Sequence, residues 1–97
     1  MRLFTFAEIR KACGGVFAFP VDLKATVESV STDSRCEQKK SLFIALCGER
    51  MDAHDFLHEA VKHGAVLLCV EKEKADRVPP GVPALLVDST LEAYQAL

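Results

Sequence analysis

The sequence predicts an α/β fold, a small single domain with a mixed, partly parallel sheet and about three helices. Leu42-Phe43-Ile44-Ala45-Leu46 and Val66-Leu67-Leu68-Cys69-Val70 are continuous apolar runs, the pattern of strands covered on both faces. A helical stretch separates them, so the pair reads as a βαβ unit, which should cross over right-handed onto a parallel pair. Two S/T-x-x-E capping boxes, Thr5 to Glu8 and Ser89 to Glu92, open further helices near either end.

In chain order, Phe6, Ile9 and Cys13 follow helical spacing after Thr5, and Gly14-Gly15 supplies the stop. Val16 to Phe19 is an apolar stretch closed by Pro20. Val27-Glu28-Ser29-Val30-Ser31 alternates like a half-buried strand. Asp52 or Asp55 can cap a second helix with Phe56, Leu57, Ala60 and Val61 on its apolar side, ending before Gly64. Glu71 to Pro83, charged and then proline-rich, reads as a surface connection, with Glu71-Lys72-Glu73-Lys74 as a solvated face. Ala84 to Val87 is a short strand. The helix opened by Ser89 carries Leu91, Tyr94 and Leu97 on one side and is still running at Leu97, the pattern of a piece of a longer chain.

Composition narrows the function classes. The chain has 97 residues, 49% hydrophobic and 27% charged, with a formal net charge of -2. That suits one folded domain and argues against disorder. The densest basic cluster is Lys39-Lys40, too little for nucleic-acid or anionic-membrane binding by bulk charge. No apolar run approaches the roughly 20 residues of a membrane helix. Glu8, Arg10 and Lys11 interrupt any leader-like core, so the sequence reads as cytoplasmic. Cys13, Cys36, Cys47 and Cys69 form no CxxC pair or zinc spacing. Cys13, Cys47 and Cys69 sit among apolar neighbours and read as small hydrophobes, while Cys36 is the one expected to be exposed.

The chemistry concentrates in two polar turns. One is Ser31-Thr32-Asp33-Ser34-Arg35 after a strand; the other is Gly48-Glu49-Arg50-Met51-Asp52-Ala53-His54-Asp55 between a strand and a helix. Ligands of open α/β sheets sit beyond the carboxyl ends of strands. Hydroxyls, a glycine that lets backbone approach, and Arg35 and Arg50 suit a nucleotide-like or phosphorylated ligand. The plainer reading is an Asx-turn at Asp33 and Ser34, with Arg35 solvated or paired to Asp33. His54 and His58 are four apart but lack the HExxH glutamate, so a metal site is weakly indicated; His54 falls in the turn before the helix, and His58 and His63 near its surface. There is no GxxxxGK[ST] loop, no GxGxxG fingerprint and no evident catalytic constellation.

Read with their strands, these turns resemble a known family. Ser31-Thr32-Asp33-Ser34-Arg35, then Phe43-Ile44-Ala45-Leu46-Cys47-Gly48-Glu49-Arg50, then Asp52-Ala53-His54-Asp55-Phe56 and Ala60-Val61-Lys62-His63-Gly64-Ala65 are similar to the N-terminal domain of Mur ligases. Val87-Asp88-Ser89-Thr90-Leu91-Glu92-Ala93 resembles the closing element of that domain, so the likeness spans essentially the whole chain in order. It implies that residues 1–97 are the N-terminal UDP-substrate-binding domain of a peptidoglycan-precursor ligase. A middle domain binding ATP and magnesium, and a last domain helping to bind the incoming amine, would lie outside it.

The start, Phe4-Thr5-Phe6-Ala7-Glu8-Ile9 with Gly14-Gly15, is most similar to the branch that joins D-alanyl-D-alanine to UDP-N-acetylmuramoyl-tripeptide. The sibling branch that adds the third peptide residue is the alternative. Carried over by position, the resemblance implies UDP contacts at Thr32, Ser34, Glu49, Arg50 and Met51, with Asp33, Arg35 and Gly48 supporting. It implies no catalytic residue and no metal ligand in this stretch. Where the family carries P-G-D before the L-F strand, this chain has Lys39-Lys40-Ser41, which alters a tight turn. Outside the ligase class, the competing readings are a non-catalytic interaction module using an apolar patch at Leu91, Tyr94 and Leu97, and a small independent α/β enzyme.

Overall fold

The computed structural model describes residues 4–34, 40–46 and 52–97. The elements are β1 (Phe4–Thr5), α1 (Phe6–Cys13), β2 (Val16–Phe17), β3 (Thr26–Val27), β4 (Ser29–Ser31) and β5 (Ser41–Ile44). A 3-10 turn (Ala53–Phe56) then leads into α2 (Leu57–Lys62), followed by β6 (Leu67–Glu71), a second 3-10 segment (Lys72–Arg77), β7 (Ala84–Val87) and α3 (Thr90–Ala96). The main sheet has the order β2-β7-β6-β5-β4. Its strands β4 to β7 pair in parallel, and β2 adds antiparallel to β7, so the sheet is mixed as the sequence predicts. β1 and β3 form a separate antiparallel pair.

The apolar runs are continuous because each strand feeds two cores. Successive side chains of a strand point to opposite faces. Leu42 and Ile44, Leu67 and Cys69, Leu85 and Val87 join Phe6 and Ile9 of α1 and Ala93 of α3 on one face. Phe43, Leu68, Val70 and Ala84 join Leu57 and Ala60 of α2 on the other. The result is three layers, with α1 and α3 over one side of the sheet and α2 over the other.

Local signals set the ends of the helices. Thr5 Oγ1 accepts from the Glu8 N–H at 3.1 Å, and Glu8 Oε1 accepts from the Thr5 N–H at 3.0 Å, a complete capping box. Ser89 caps α3 by accepting from the Glu92 N–H at 3.3 Å. Gly15 has φ +87, and a Cβ there would stand 2.2 Å from the Leu86 carbonyl oxygen, so only glycine lets β2 approach β7.

Two expectations need correction. The alternating stretch Val27 to Ser31 is two strands in two sheets, hinged at Glu28, whose N–H donates to the Lys40 carbonyl at 2.9 Å. Val27 is buried under α1, but Val30, on the edge strand, is 37% exposed. The stretch Glu71 to Pro83 is less of a surface connection than its charge implied. β6 runs on to Glu71, and Glu71 and Lys74 are both partly buried. Leu91, Tyr94 and Leu97 are exposed together on α3. No helix among the described residues is long and apolar enough to cross a membrane.

Candidate functional site

The parallel pairing of β4 with β5, in register Ser31 to Phe43, puts the carboxyl ends of both strands on the same edge of the sheet. The two polar turns therefore leave from neighbouring strands at one edge, where α/β sheets take ligands.

The first turn is built by Ser31. Its Oγ accepts from the Asp33 N–H at 3.2 Å and lies 3.3 Å from the Asp33 carbonyl as donor. This is a turn closed by a serine hydroxyl one residue before the turn's tip, since the residue ending the strand supplies the oxygen. Thr32 is exposed at the tip, Asp33 is half-buried, and Ser34 is only 8% exposed. The Ser34 carbonyl accepts a hydrogen bond of 2.8 Å from Nδ1 of His63, just past the C-terminal end of α2. His63 is thus half-buried and engaged, not simply near a surface.

The second turn departs from β5 through Ala45, whose N–H donates to the Cys69 carbonyl at 3.0 Å, and Leu46. Ala53 N–H donates to the Leu46 carbonyl at 3.0 Å, so the chain returns to where it left. Arg35, Gly48, Glu49, Arg50 and Met51, carried over from the family pattern, lie outside the described residues, as do Cys36 and Cys47.

Behind the second turn stands a polar network that the sequence reading missed. Asp52 Oδ1 accepts from the His54 N–H at 2.9 Å and from its ring Nδ1 at 2.6 Å. Asp52 Oδ2 takes the Lys74 ammonium and, at 3.2 Å, the Arg77 guanidinium. Arg77 also bonds Asp55 at 3.0 Å. His54 Nε2 accepts from the Glu71 N–H at 3.1 Å, and Glu71 Oε2 approaches the Thr90 N–H at 3.5 Å. Burial pushes the Asp52 carboxyl up, but the Lys74 ammonium and the His54 backbone and ring outweigh it and hold the group well below the usual carboxylate range.

His54 lies in the turn before α2, as expected, but is buried there, and both ring nitrogens are committed within the protein. Among the described residues no cluster of three or more His, Cys, Asp or Glu side chains could hold a metal. The family-pattern stretch Asp52-Ala53-His54-Asp55-Phe56 was the available sequence signal for this network. The alternating charges of Glu71 to Lys74 concealed its other half.

On this fold and edge geometry the comparisons with known proteins are consistent. No protein-family model matches the chain. The UDP-N-acetylmuramoyl-tripeptide–D-alanyl-D-alanine ligase of Haemophilus influenzae is 42% identical over 69 residues, 71% of this chain and 14% of that enzyme. Its Bacillus subtilis counterpart is 32% identical over 93 residues, 96% of this chain and 20% of the enzyme. The UDP-N-acetylmuramoyl-L-alanyl-D-glutamate–L-lysine ligase of Staphylococcus aureus is 27% identical over 95 residues, 98% of this chain and 17% of that enzyme. The crystal structure of MurF from Acinetobacter baumannii superposes with TM-score 0.84 at 27% identity, covering 100% of this chain and 20% of that one. The chain belongs to the Mur ligase family and has the fold of its N-terminal domain. Within the family it is most like MurF, the ligase acting with D-alanyl-D-alanine. It spans about a fifth or less of the length of these relatives.

Proposed function

We propose that this domain holds the UDP end of UDP-N-acetylmuramoyl-tripeptide for an ATP-dependent ligase that adds D-alanyl-D-alanine in peptidoglycan-precursor synthesis, in the cytoplasm. The observation that carries the proposal is the shared carboxyl edge of β4 and β5, which starts the two family-patterned turns side by side. In this reading Thr32 and Ser34, with Asp33 and Arg35 supporting, contact the ligand from the first turn, and Glu49, Arg50 and Met51, with Gly48 supporting, from the second. The exposed Thr32 hydroxyl suits an oxygen or imide of uracil, and Arg50 and nearby amides suit the diphosphate.

The contribution to catalysis is positional. Binding a remote, non-reacting part of the substrate supplies free energy that orients the distant carboxylate to be activated. The described residues do not fit magnesium, since no cluster of three or more of their ligand-type side chains is placed for it. The sequence also lacks a phosphate loop. ATP, magnesium and D-alanyl-D-alanine are assigned to other domains of the full enzyme on the family resemblance, and no chemical step is routed through these residues.

Titration of the isotope-labelled chain with UDP, followed by NMR, tests the proposal. The amide signals of Thr32 to Ser34 and of residues 48–51 should move together and saturate. Signals that stay still in both turns at millimolar UDP reject it. The sibling ligases that add the third peptide residue are less favoured, because the L-lysine-adding relative is 27% identical where the D-alanyl-D-alanine-adding ones reach 32% and 42%.

A further inference from the structure

We propose that His63 is a positioning residue for the uridine-facing turn, acting through the Ser34 carbonyl; this rests on the ligand assignment just made. Among the described residues, the turn is pinned at both its start and its end. At its start Ser31 Oγ holds the Asp33 N–H at 3.2 Å, and at its end the His63 ring holds the Ser34 carbonyl at 2.8 Å. Between the pins Thr32 is exposed, so its side chain is presented from a backbone fixed on both sides.

The His63 anchor is itself rigid. Its N–H donates to the Glu59 and Ala60 carbonyls at 3.1 and 3.2 Å, which ties it to the end of α2. Leu57 and Ala60 hold α2 to the core. The next residue, Gly64, accepts from the Lys40 N–H at 3.2 Å at the entry to β5. The end of α2 thus grips both the departure of the chain from β4 and its arrival at β5.

A carbonyl only accepts, so Nδ1 of His63 must carry the proton in this contact. Fixing a loop in its bound shape improves affinity by reducing the ordering cost on binding.

The test compares UDP affinity of the wild-type chain with His63→Ala and His63→Asn, together with thermal midpoints. Asparagine can place an N–H donor close to the position of Nδ1. The ordering cost added when the anchor is lost is bounded by the net worth of an ordinary hydrogen bond, which corresponds to up to about fivefold weaker UDP binding in His63→Ala. His63→Asn should recover most of the affinity, and the Thr32 and Ser34 amide signals should shift in the alanine variant before ligand is added.

Equal affinity in wild type and His63→Ala overturns the inference while leaving the ligand assignment intact. So does equal weakening in both variants, which would point to ring packing. If His63→Ala does not fold, a long-range nitrogen–proton spectrum of the wild-type imidazole decides, because an unprotonated Nδ1 rules the contact out. A wild-type chain that ignores UDP removes the ligand assignment and this inference together.

Discussion

Nδ1 of His54 donates to Asp52 at 2.6 Å while Nε2 accepts from the Glu71 N–H at 3.1 Å. Because an amide can only donate, the second contact fixes the tautomer, with its proton on Nδ1. One buried ring therefore joins the start of the 3-10 turn to the carboxyl end of β6.

Replacing His54 with Ala removes both bonds and leaves buried polar groups on either side. We expect a loss of about 2–4 kcal/mol in unfolding free energy, measured by urea denaturation. A change under about 1 kcal/mol would mean that the ring is not a structural tie.

Asp52 gives the network an acid limit. Its folded-state pKa is depressed, so its contribution is full above the ordinary carboxylate value near 4 and is lost as pH falls below that toward the folded value. Asp52→Asn should therefore be less stable than wild type by about 2 kcal/mol at neutral pH. The gap should narrow in acid, below about pH 4. A gap independent of pH down to about 2 would contradict the charge-based account.

Lys40 has φ 53, a left-handed conformation that disfavours a side chain. It occupies the place where the resemblance leads one to expect glycine in P-G-D. Lys40→Gly should raise stability by up to about 1 kcal/mol, the strain relieved less the added freedom of the unfolded chain. The thermal midpoint reports the sign.

Gly15→Ala should act in the opposite direction. The new Cβ meets the Leu86 carbonyl at 2.2 Å with φ at +87, and neither backbone can yield without breaking the β2–β7 pairing. A loss above about 2 kcal/mol is expected in chemical denaturation.

The cysteines give a kinetic prediction. The hydrogen bond with the Cys13 thiol and burial push the Cys69 thiol up, so it is protonated and inaccessible. In native protein Cys69 should resist alkylation until the chain unfolds, with half-buried Cys13 reacting sooner. Mass mapping after limited alkylation reads the order.

The helices were legible where a few adjacent residues decide them. Thr5 with Glu8 and Ser89 with Glu92 mark their own caps, because capping bonds close within one turn of chain. The buried strands were legible because two-sided burial leaves no polar position in Leu42 to Ile44 or Leu67 to Val70. The family pattern in turn fixed the order of the elements and the turns that deserved notice.

Other features depended on partners far along the chain. Glu28 looks like any polar strand position, yet it divides two sheets, because Val27 pairs with Phe4 and Ser29 with Ser41. Lys74 looks solvated, yet it meets Asp52, 22 residues away. His63 looks like a helix-end surface residue, yet it reaches Ser34, 29 residues away. Sequence alone determined what short-range hydrogen bonds and the periodicity of burial can encode. Tertiary structure decided the contacts between distant polar groups, because such a bond depends on how separate elements pack and leaves no periodic trace in either segment.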